Sequence, residues 1–319
     1  MRFIDAEATR TALPFPALIE ALRALFASGC EVPPRQVLEV AGAGGEGDTG
    51  MISLVMPAWL AGRCYGVKVV NIAPGNAALG LPGLHSSYLL YDATTGVPLA
   101  AIDGDEITAR RTAAVSALAA SWLAPIDARQ LALIGAGRIA RLLADAHRAV
   151  RPIDRVSVWA RSPAAAATLV GELAGRGIDA RSAESVEAAV ADADIVSCAT
   201  LAREPIVRGE WLRRGAHLDL IGSFTAAMRE ADDACFVDAA IYVDTREALV
   251  KSGELLGPIA RGVFAAGDIR GTLEDLARGR VGGRRSSEER TVFKSVGSAL
   301  SDLAAAMLVH RSVAGASMP

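Results

Sequence analysis

The sequence predicts an α/β protein built around a doubly wound parallel sheet. Its 319 residues are long for one domain and suggest two. From about Leu123 to Glu289, short apolar runs alternate with Ala-rich segments of helical pattern, as in sheets of this class. The first of these runs, Leu131–Ile134, stops at Gly135 and Gly137 and turns straight into a helix-forming segment.

The other elements are predicted in chain order. A helix over Phe15 to Ser28 opens the first part, which continues to about Ala120 as extended segments broken by Pro and Gly. After Thr291 a helical tail, Phe293 to Val309, is expected to pack back on the first part. The strands predicted for the sheet are Leu131–Ile134, Val156–Trp159, Ile195–Ala199, His217–Ile221 and Ile241–Val243, with helices over Pro163–Arg176 and Ser185–Ala191.

The turn after Leu131–Ile134 has the features of a pyrophosphate-binding loop of a Rossmann domain. Gly135 allows a tight turn, Gly137 lets backbone come close to phosphate, and the helix N-terminus presents N–H groups to the anion. A plain structural turn is the alternative, because glycine turns after strands are common. The strand Val156–Trp159, one βαβ unit later, favours a nucleotide. The residues predicted to bind it here are Gly135, Ala136, Gly137, Arg138 and Ile139.

The end of the second strand bears on the choice of cofactor. An enzyme that uses NAD usually has an acidic residue there, whereas the 2′-phosphate of NADP needs a cation. In this chain Arg161 and Ser162 follow the strand, and Asp154 precedes it and so lies at the opposite end. The sequence therefore favours NADPH, with NADH as the alternative. The competing interpretation is that Arg161 is an ordinary loop residue whose charge is solvated by water.

Composition and residue spacing argue against several other classes of protein. The net charge of −3 and the scattered Lys and Arg give no reason to expect nucleic acid or an anionic membrane as partner. Acidic residues near the N-terminus, where a signal peptide needs an apolar core, predict a cytoplasmic protein. The four histidines have no metal-ligand spacing, so no metal site is expected. The four cysteines lie far apart and are expected to be free thiols.

Three basic residues of the first part are candidates for a substrate site. Arg35 follows two prolines that hold its backbone extended, Lys68 lies in a β-branched strand, and Arg111 lies in an Ala-rich helical segment. Each could be structural: Lys68 could snorkel from an edge strand, and Arg111 could pair with Glu106. Together they indicate a substrate with a carboxylate, which guanidinium groups bind bidentately.

These residues carry a family resemblance. The chain resembles the ornithine cyclodeaminase and mu-crystallin family over nearly its whole length. The matching segments are Val32–Arg35, Gly66–Val70, Tyr91–Gly96, Arg111–Ser116, Ile134–Gly137 and Thr291–Gly297.

The resemblance implies a homodimer in which residues 1–121 and 292–319 form a substrate and dimerisation domain around a Rossmann domain of residues 122–291. It also implies binding of NAD or NADP and action on amino acids or cyclic imino acids. The substrate-binding residues of the family fall on Arg35, Lys68 and Arg111. Its contacts on the nicotinamide side suggest Thr200, Gly222 and Ser295, with His85 as a further candidate.

One departure distinguishes members of the family. Cyclodeaminases resemble one another in carrying an acidic residue two positions after the first glycine of a Gly-Gly-Asp segment, whereas this chain reads Leu220-Ile221-Gly222-Ser223. A serine without an adjacent base is a poor proton acceptor, so ammonia release from ornithine would lack its acid–base group. Reduction of a preformed imine needs no such group. The mu-crystallin branch, which resembles ketimine reductases, also lacks that acid. The resemblance therefore implies an NADPH-dependent reductase of cyclic ketimines, Δ1-pyrroline-2-carboxylate or Δ1-piperideine-2-carboxylate, yielding L-proline or L-pipecolate.

Three alternatives stay open from the sequence. The protein could be an ornithine cyclodeaminase with a relocated base, or an amino-acid dehydrogenase of the alanine type. It could also be a crystallin-like protein that binds NADPH without turnover. All three would retain Arg161 and the glycine turn, and Ser223 argues only against the first.

Overall fold

A computed structural model of the chain describes residues 1–42 and 50–315. The strands in this part are β1 (Arg2–Ile4), β2 (Gln36–Val40), β3 (Met51–Leu60), β4 (Cys64–Ile72), β5 (Leu84–Asp92), β6 (Pro98–Asp103), β7 (Gln130–Ile134), β8 (Arg155–Trp159), β9 (Asp179–Ser182), β10 (Ile195–Cys198), β11 (His217–Leu220), β12 (Ala240–Val243), β13 (Gly271–Thr272) and β14 (Thr291–Lys294). The helices are α1 (Ala6–Ala12), α2 (Phe15–Ser28), α3 (Gly104–Leu123), α4 (Ala140–Arg148), α5 (Pro163–Gly175), α6 (Val186–Val190), α7 (Ala248–Lys251), α8 (Gly253–Ala260), α9 (Leu273–Ala277) and α10 (Ala299–Ala314).

The chain folds as two compact units. Unit 1 comprises residues 1–111 and 299–319, and unit 2 comprises residues 112–298. The second unit is thus inserted in the first, and the predicted α/β fold class is confirmed. The boundaries differ from the predicted 121/122 and 291/292, because most of α3 and the whole of β14 belong to unit 2.

Unit 1 is built on a six-stranded sheet in the order β1-β6-β5-β4-β3-β2. The β1–β6 pair is parallel and the other pairs are antiparallel. Helix α10 packs on β3, β4 and β6 and against α1 and α2. The predicted helix over Phe15 to Ser28 is confirmed as α2, whose buried side chains recur at spacings of three and four residues from Leu18 to Phe26.

Unit 2 contains an eight-stranded sheet in which every neighbouring pair is parallel. The order is β13-β12-β14-β11-β10-β7-β8-β9. The chain runs outward from β7 to β9 and then returns to place β10 on the other side of β7. The strand order therefore reverses between β7 and β10, where α/β sheets bind ligands at the carboxyl ends of the strands.

One predicted element is wrong. The tail predicted as a helix from Phe293 begins instead with β14, a buried strand between β11 and β12, and helix α10 starts only at Ala299. Gly297, with a φ of 82°, lies between strand and helix. The prediction that the tail packs back on the first part is confirmed for α10.

Two further findings concern cysteines and membranes. All four cysteines are free, as predicted. Within residues 1–42 and 50–315 no single helix is long and apolar enough to cross a membrane, and only the bent pair α1 and α2, with 76° between them, meets that test together.

Candidate functional site

The sheet of unit 2 brings most of the predicted cofactor residues to one edge. Gly135 follows β7, Arg161 follows β8, Thr200 follows β10, Gly222 follows β11 and Ser295 follows β14. In a parallel sheet the carboxyl ends of all strands meet at the same edge. The five residues therefore converge on the side where a dinucleotide binds.

A cleft of about 820 Å³ opens at this edge, around the point where the strand order reverses. Six predicted cofactor residues line it: Gly135, Ala136, Gly137, Arg161, Ser162 and Thr200. Sequence reasoning did not single out Trp159, Arg203 and Glu204, which also line the cleft. Its volume falls within the range of cofactor pockets in proteins.

The glycine turn fits a pyrophosphate. Gly135 has a φ of +115°, and a Cβ there would lie 2.7 Å from the carbonyl oxygen of Ala199. A Cβ on Gly137 would meet no protein atom within 4 Å, so this backbone is open to a ligand. Helix α4 begins three residues later without a side-chain hydrogen bond at its N-cap, Ile139. Its first N–H groups are oriented to stabilise an anion.

Arg161 lies at the carboxyl end of β8, the position at which enzymes that use NADP place a cation. It is exposed, lines the cleft, and has no hydrogen-bond or ion-pair partner among the residues that the structure describes. Ser162 is the N-cap of α5, and its hydroxyl accepts a hydrogen bond from the backbone of Ala165 at 3.3 Å. Asp154 lies at the amino end of β8 and pairs with Arg129 at 2.8 Å. It is therefore remote from the ribose position, as predicted.

Thr200 and Gly222 are joined by a carboxylate that sequence reasoning missed. Glu230 is fully buried and accepts hydrogen bonds from the backbone N–H of Thr200 at 2.7 Å and of Gly222 at 2.7 Å. Burial raises the pKa of Glu230 to about 7, although Lys294 and the Thr200 hydrogen bonds oppose this rise. A carboxylate in so apolar a setting needs partners from the protein.

Ser223 is sealed inside unit 2. Its side chain has no exposed surface, and its hydroxyl donates to the backbone oxygen of Met228 at 2.6 Å. The Ser252 hydroxyl lies 3.0 Å from it and donates to the Ser223 backbone oxygen at 2.8 Å. A hydroxyl held in this way cannot exchange protons with a substrate.

The other predicted site residues lie outside the cleft. Arg138 and Ile139 belong to the turn before α4 but are not among the residues that line it. Gly222 and Ser295 do not line it either. Ser295 is buried, and its N–H donates to the Leu220 backbone oxygen at 3.1 Å. His85 is exposed near the start of β5 in unit 1.

Unit 1 gathers the predicted cations around one buried carboxylate. Lys68 Nζ lies 2.7 Å from Asp302 Oδ2, and Arg111 Nε donates to Asp302 Oδ1 at 2.8 Å. The exposed fractions of these three residues are 1%, 7% and 0%. Lys68 therefore does not snorkel, since β4 is an interior strand, and Arg111 pairs with Asp302 rather than Glu106.

The electrostatics of this cluster favour a bound anion. Burial lowers the pKa of Lys68 to about 8; Asp302 opposes that shift, and the charges of Arg111 and Arg35 reinforce it. Arg35, half-buried before β2, thus acts on the same ammonium. Asp302 is buried too, but Arg111 and Lys68 hold the pKa of its carboxyl below the ordinary value. Two cations and one carboxylate leave a buried positive charge, to which Arg35 adds.

Asp302 was missed by sequence reasoning, although a signal was present. It is the single acidic residue in α10, whose sequence from Ala299 to Val309 is otherwise uncharged. Asp and Glu are almost never fully buried unless paired. A lone carboxylate in an apolar helix thus indicates a buried cation as partner.

The comparisons with known proteins agree with this geometry. The family model described as "Ornithine cyclodeaminase/mu-crystallin family" matches residues 6–317. The chain belongs to this family. The resemblance stated from the sequence motifs is thereby confirmed.

Several relatives are similar over most of their length. The Δ1-pyrroline-2-carboxylate reductase of Paracoccus denitrificans is 46% identical, over 81% of this chain and 82% of the relative. Ketimine reductase mu-crystallin of Rattus norvegicus is 36% identical, over 81% of this chain and 79% of the relative. The solved structure of Thermococcus litoralis Δ1-pyrroline-2-carboxylate reductase with NADH and L-proline has a TM-score of 0.91 and 33% identity, covering 99% of this chain and 98% of that one.

These relatives are reductases. The predicted enzyme class, an NAD(P)H-dependent oxidoreductase acting on carbon–nitrogen bonds, is thereby confirmed.

Proposed function

We propose that this protein reduces cyclic ketimines that carry a 2-carboxylate, such as Δ1-pyrroline-2-carboxylate and Δ1-piperideine-2-carboxylate, with NADPH as the preferred cofactor. The observation that carries the proposal is the buried cluster in which Lys68 and Arg111 share Asp302. Relatives named Δ1-pyrroline-2-carboxylate reductase and ketimine reductase support it.

The cluster suits a substrate with one carboxylate. Its excess positive charge would be balanced by a monoanion, and desolvation strengthens that attraction. Arg111 uses Nε for Asp302, which leaves its terminal nitrogens for the substrate carboxylate. Arg35 would add a third cation, as its effect on Lys68 suggests.

Lys68 is the best candidate for delivering the imine proton. With a pKa of about 8 its ammonium is largely protonated at neutral pH, yet it releases a proton more readily than an exposed lysine. Asp302 at 2.7 Å fixes the position of Nζ. A reduced nicotinamide, when bound, supplies the hydride to the imine carbon. The chain itself binds the carboxylate, orients the ring and holds the proton.

The cofactor preference follows from Arg161. The exposed guanidinium of Arg161, beside the N-terminus of α5, has no partner within residues 1–42 and 50–315 and suits a 2′-phosphate better than a 2′-hydroxyl. Asp154 is at the wrong end of β8 to bind the ribose hydroxyls. NADPH is therefore favoured over NADH.

The cyclodeaminase alternative lacks support at Ser223. Its hydroxyl is buried and bonded to Met228 and Ser252, so it cannot take the place of the acidic residue of cyclodeaminases. Reduction of an imine that is already formed needs no such group.

The test is to supply the two cyclic ketimines with NADPH and follow absorbance, with product analysis for L-proline and L-pipecolate. Ornithine with NAD, and pyruvate with ammonium, serve as parallel substrates. Turnover of the ketimines well above that of the other two is expected. Ammonia release from ornithine at comparable rates would contradict the proposal, as would preferential reduction of pyruvate.

A homodimer is part of the proposal. The edge strand β2 exposes Val37, Leu38 and Val40 at 59%, 48% and 45%, an apolar strand edge that a soluble monomer usually avoids. Self-association through unit 1 would cover it.

A further inference from the structure

One buried carboxylate joins the loops that follow two neighbouring strands of unit 2. Glu230 Oε1 accepts hydrogen bonds from the Thr200 backbone N–H at 2.7 Å and the Thr200 hydroxyl at 2.8 Å. Glu230 Oε2 accepts from the Gly222 backbone N–H at 2.7 Å. Because Thr200 follows β10 and Gly222 follows β11, Glu230 fixes both loops at once.

Glu230 is itself held firmly. Its backbone N–H donates to Glu254 Oε2 at 2.8 Å, and the N–H of Ala231 donates to Glu254 Oε1 at 2.9 Å. Its carbonyl oxygen accepts from Ile206 at 2.9 Å and from Val207 at 3.0 Å. The carboxylate therefore has little freedom to follow a loop that moves.

The loop after β10 and the loop after β11 are also in such close contact that no side chain fits between them at Gly222. A Cβ on Gly222 would lie 1.8 Å from the Thr200 carbonyl oxygen and 2.6 Å from Glu230 Oε1. Only glycine fits at this position without displacing backbone. The packing and the three hydrogen bonds thus define one conformation for this end of the cleft, which Thr200 lines.

The hydrogen bond to Glu230 also determines whether the Thr200 hydroxyl can donate to a ligand or accept from it. Its hydroxyl proton is donated to Glu230, and its oxygen accepts from the Ala202 N–H at 3.3 Å. Toward a ligand the Thr200 oxygen can therefore only accept. A primary amide is a ligand group that donates to such an acceptor.

We propose that Glu230 is a positioning residue that holds Thr200 as a fixed acceptor for the carboxamide of the nicotinamide. This inference rests on the proposed function, since it assumes that NAD(P)H occupies the cleft. The three donors around Glu230, at 2.7, 2.8 and 2.7 Å, favour the ionised carboxylate, which accepts all three hydrogen bonds. The amide of a glutamine would turn an N–H toward either Thr200 or Gly222 and lose at least one of them.

The experiment measures the Kd of NADPH by nicotinamide fluorescence for the wild type, Glu230→Gln and Thr200→Val. Both variants are expected to bind about tenfold more weakly, the effect of losing one buried hydrogen bond. The KM for cofactor should rise in proportion while the KM for ketimine at saturating cofactor stays unchanged. Glu187→Gln, on the exposed face of α6, is the matched control and should bind like the wild type.

An acetylpyridine analogue of the cofactor, which lacks the amide N–H group, provides the second arm. The wild type should bind it more weakly than NADPH, whereas Thr200→Val should show little difference between the two. Thr200→Val keeps the hydrogen bond from the backbone N–H of residue 200 to Glu230. The comparison of the two cofactors in this variant can therefore be made even if Glu230→Gln fails to fold. Wild-type affinity in Thr200→Val, or equal discrimination in both proteins, would overturn the inference. No binding of NADPH or NADH to the wild type would instead contradict the proposed function.

Discussion

At Lys68, burial and charge act in opposite directions on the same ammonium. Burial lowers its pKa to about 8, and Asp302 prevents a larger fall. The protonated form, which the proposed mechanism requires, is therefore lost as the pH rises through about 8. We predict that kcat/KM for cyclic ketimines falls above this pH.

Asp302→Asn provides the check on that assignment. Without the carboxylate the pKa of Lys68 should fall further, so the alkaline limb of the pH profile should move to lower pH. Lys68→Arg should lower kcat/KM by about 100-fold, as loss of a general acid does. A limb at the same pH in the wild type and Asp302→Asn would mean that the substrate titrates instead of Lys68.

Arg161 permits a test of cofactor choice by one substitution. Arg161→Ala should raise the Kd of NADPH by about 10- to 100-fold through loss of a charge-assisted hydrogen bond, with little change for NADH. Arg155→Ala, at the opposite end of β8, is the control. An equal loss for both cofactors would leave Arg161 without a role in selecting the phosphate.

Sequence reasoning found the cations but neither of the two buried acids. Asp302 pairs with Lys68 and Arg111. Glu230 accepts hydrogen bonds from Thr200 and Gly222. Lys68, Arg111 and Arg35 are unusual in their local sequence, whereas Asp302 and Glu230 become informative only through distant partners. Arg111 and Asp302 are separated by 191 positions along the chain. Such a pairing depends on tertiary structure, and only the absence of other charges around Asp302 indicates it in advance.

Within the turn between β7 and α4, the two glycines have different roles. Gly135→Ala should lower the melting temperature, because its φ is positive and its Cβ would lie 2.7 Å from Ala199 O. Gly137→Ala should leave the fold intact but weaken cofactor binding by about tenfold or more, since the new methyl would occupy open space in the cleft next to the proposed pyrophosphate position.

The control for this pair is Gly171→Ala, within α5 and exposed with no atom near its Cβ. It should be neutral or stabilise the protein by about 0.5–1 kcal/mol. Unfolding titrations and NADPH binding on the same three variants separate the two effects. Unchanged cofactor affinity in Gly137→Ala would remove the turn from the binding site.

Among the elements, the sequence predicts the strands on either side of the glycine turn to within one residue, but it predicts a helix from Phe293, where β14 lies. Thr291–Lys294 has only four residues and stands next to a long Ala-rich helix, so its own pattern was not distinguished. Its position between β11 and β12 is set by the sheet and not by local propensity.

At the scale of the whole molecule, we predict a dimer. Sedimentation should give twice the 33.0 kDa mass of the chain, and Leu38→Glu on the exposed strand β2 should shift the equilibrium toward monomer. Val250→Glu, on an exposed apolar position of unit 2, is the control. A wild-type protein that sediments as a monomer at micromolar concentrations would contradict this part of the proposal.

The most direct test of the central claim follows the hydride. NADPH carrying deuterium at C4, prepared with the label on either face, is incubated with the enzyme and each cyclic ketimine, and the product is analysed by mass spectrometry. We predict L-proline or L-pipecolate with one deuterium at carbon 2, from one of the two labelled cofactors. Cofactor that stays reduced, or an amino acid product without deuterium from either labelled form, would contradict the account.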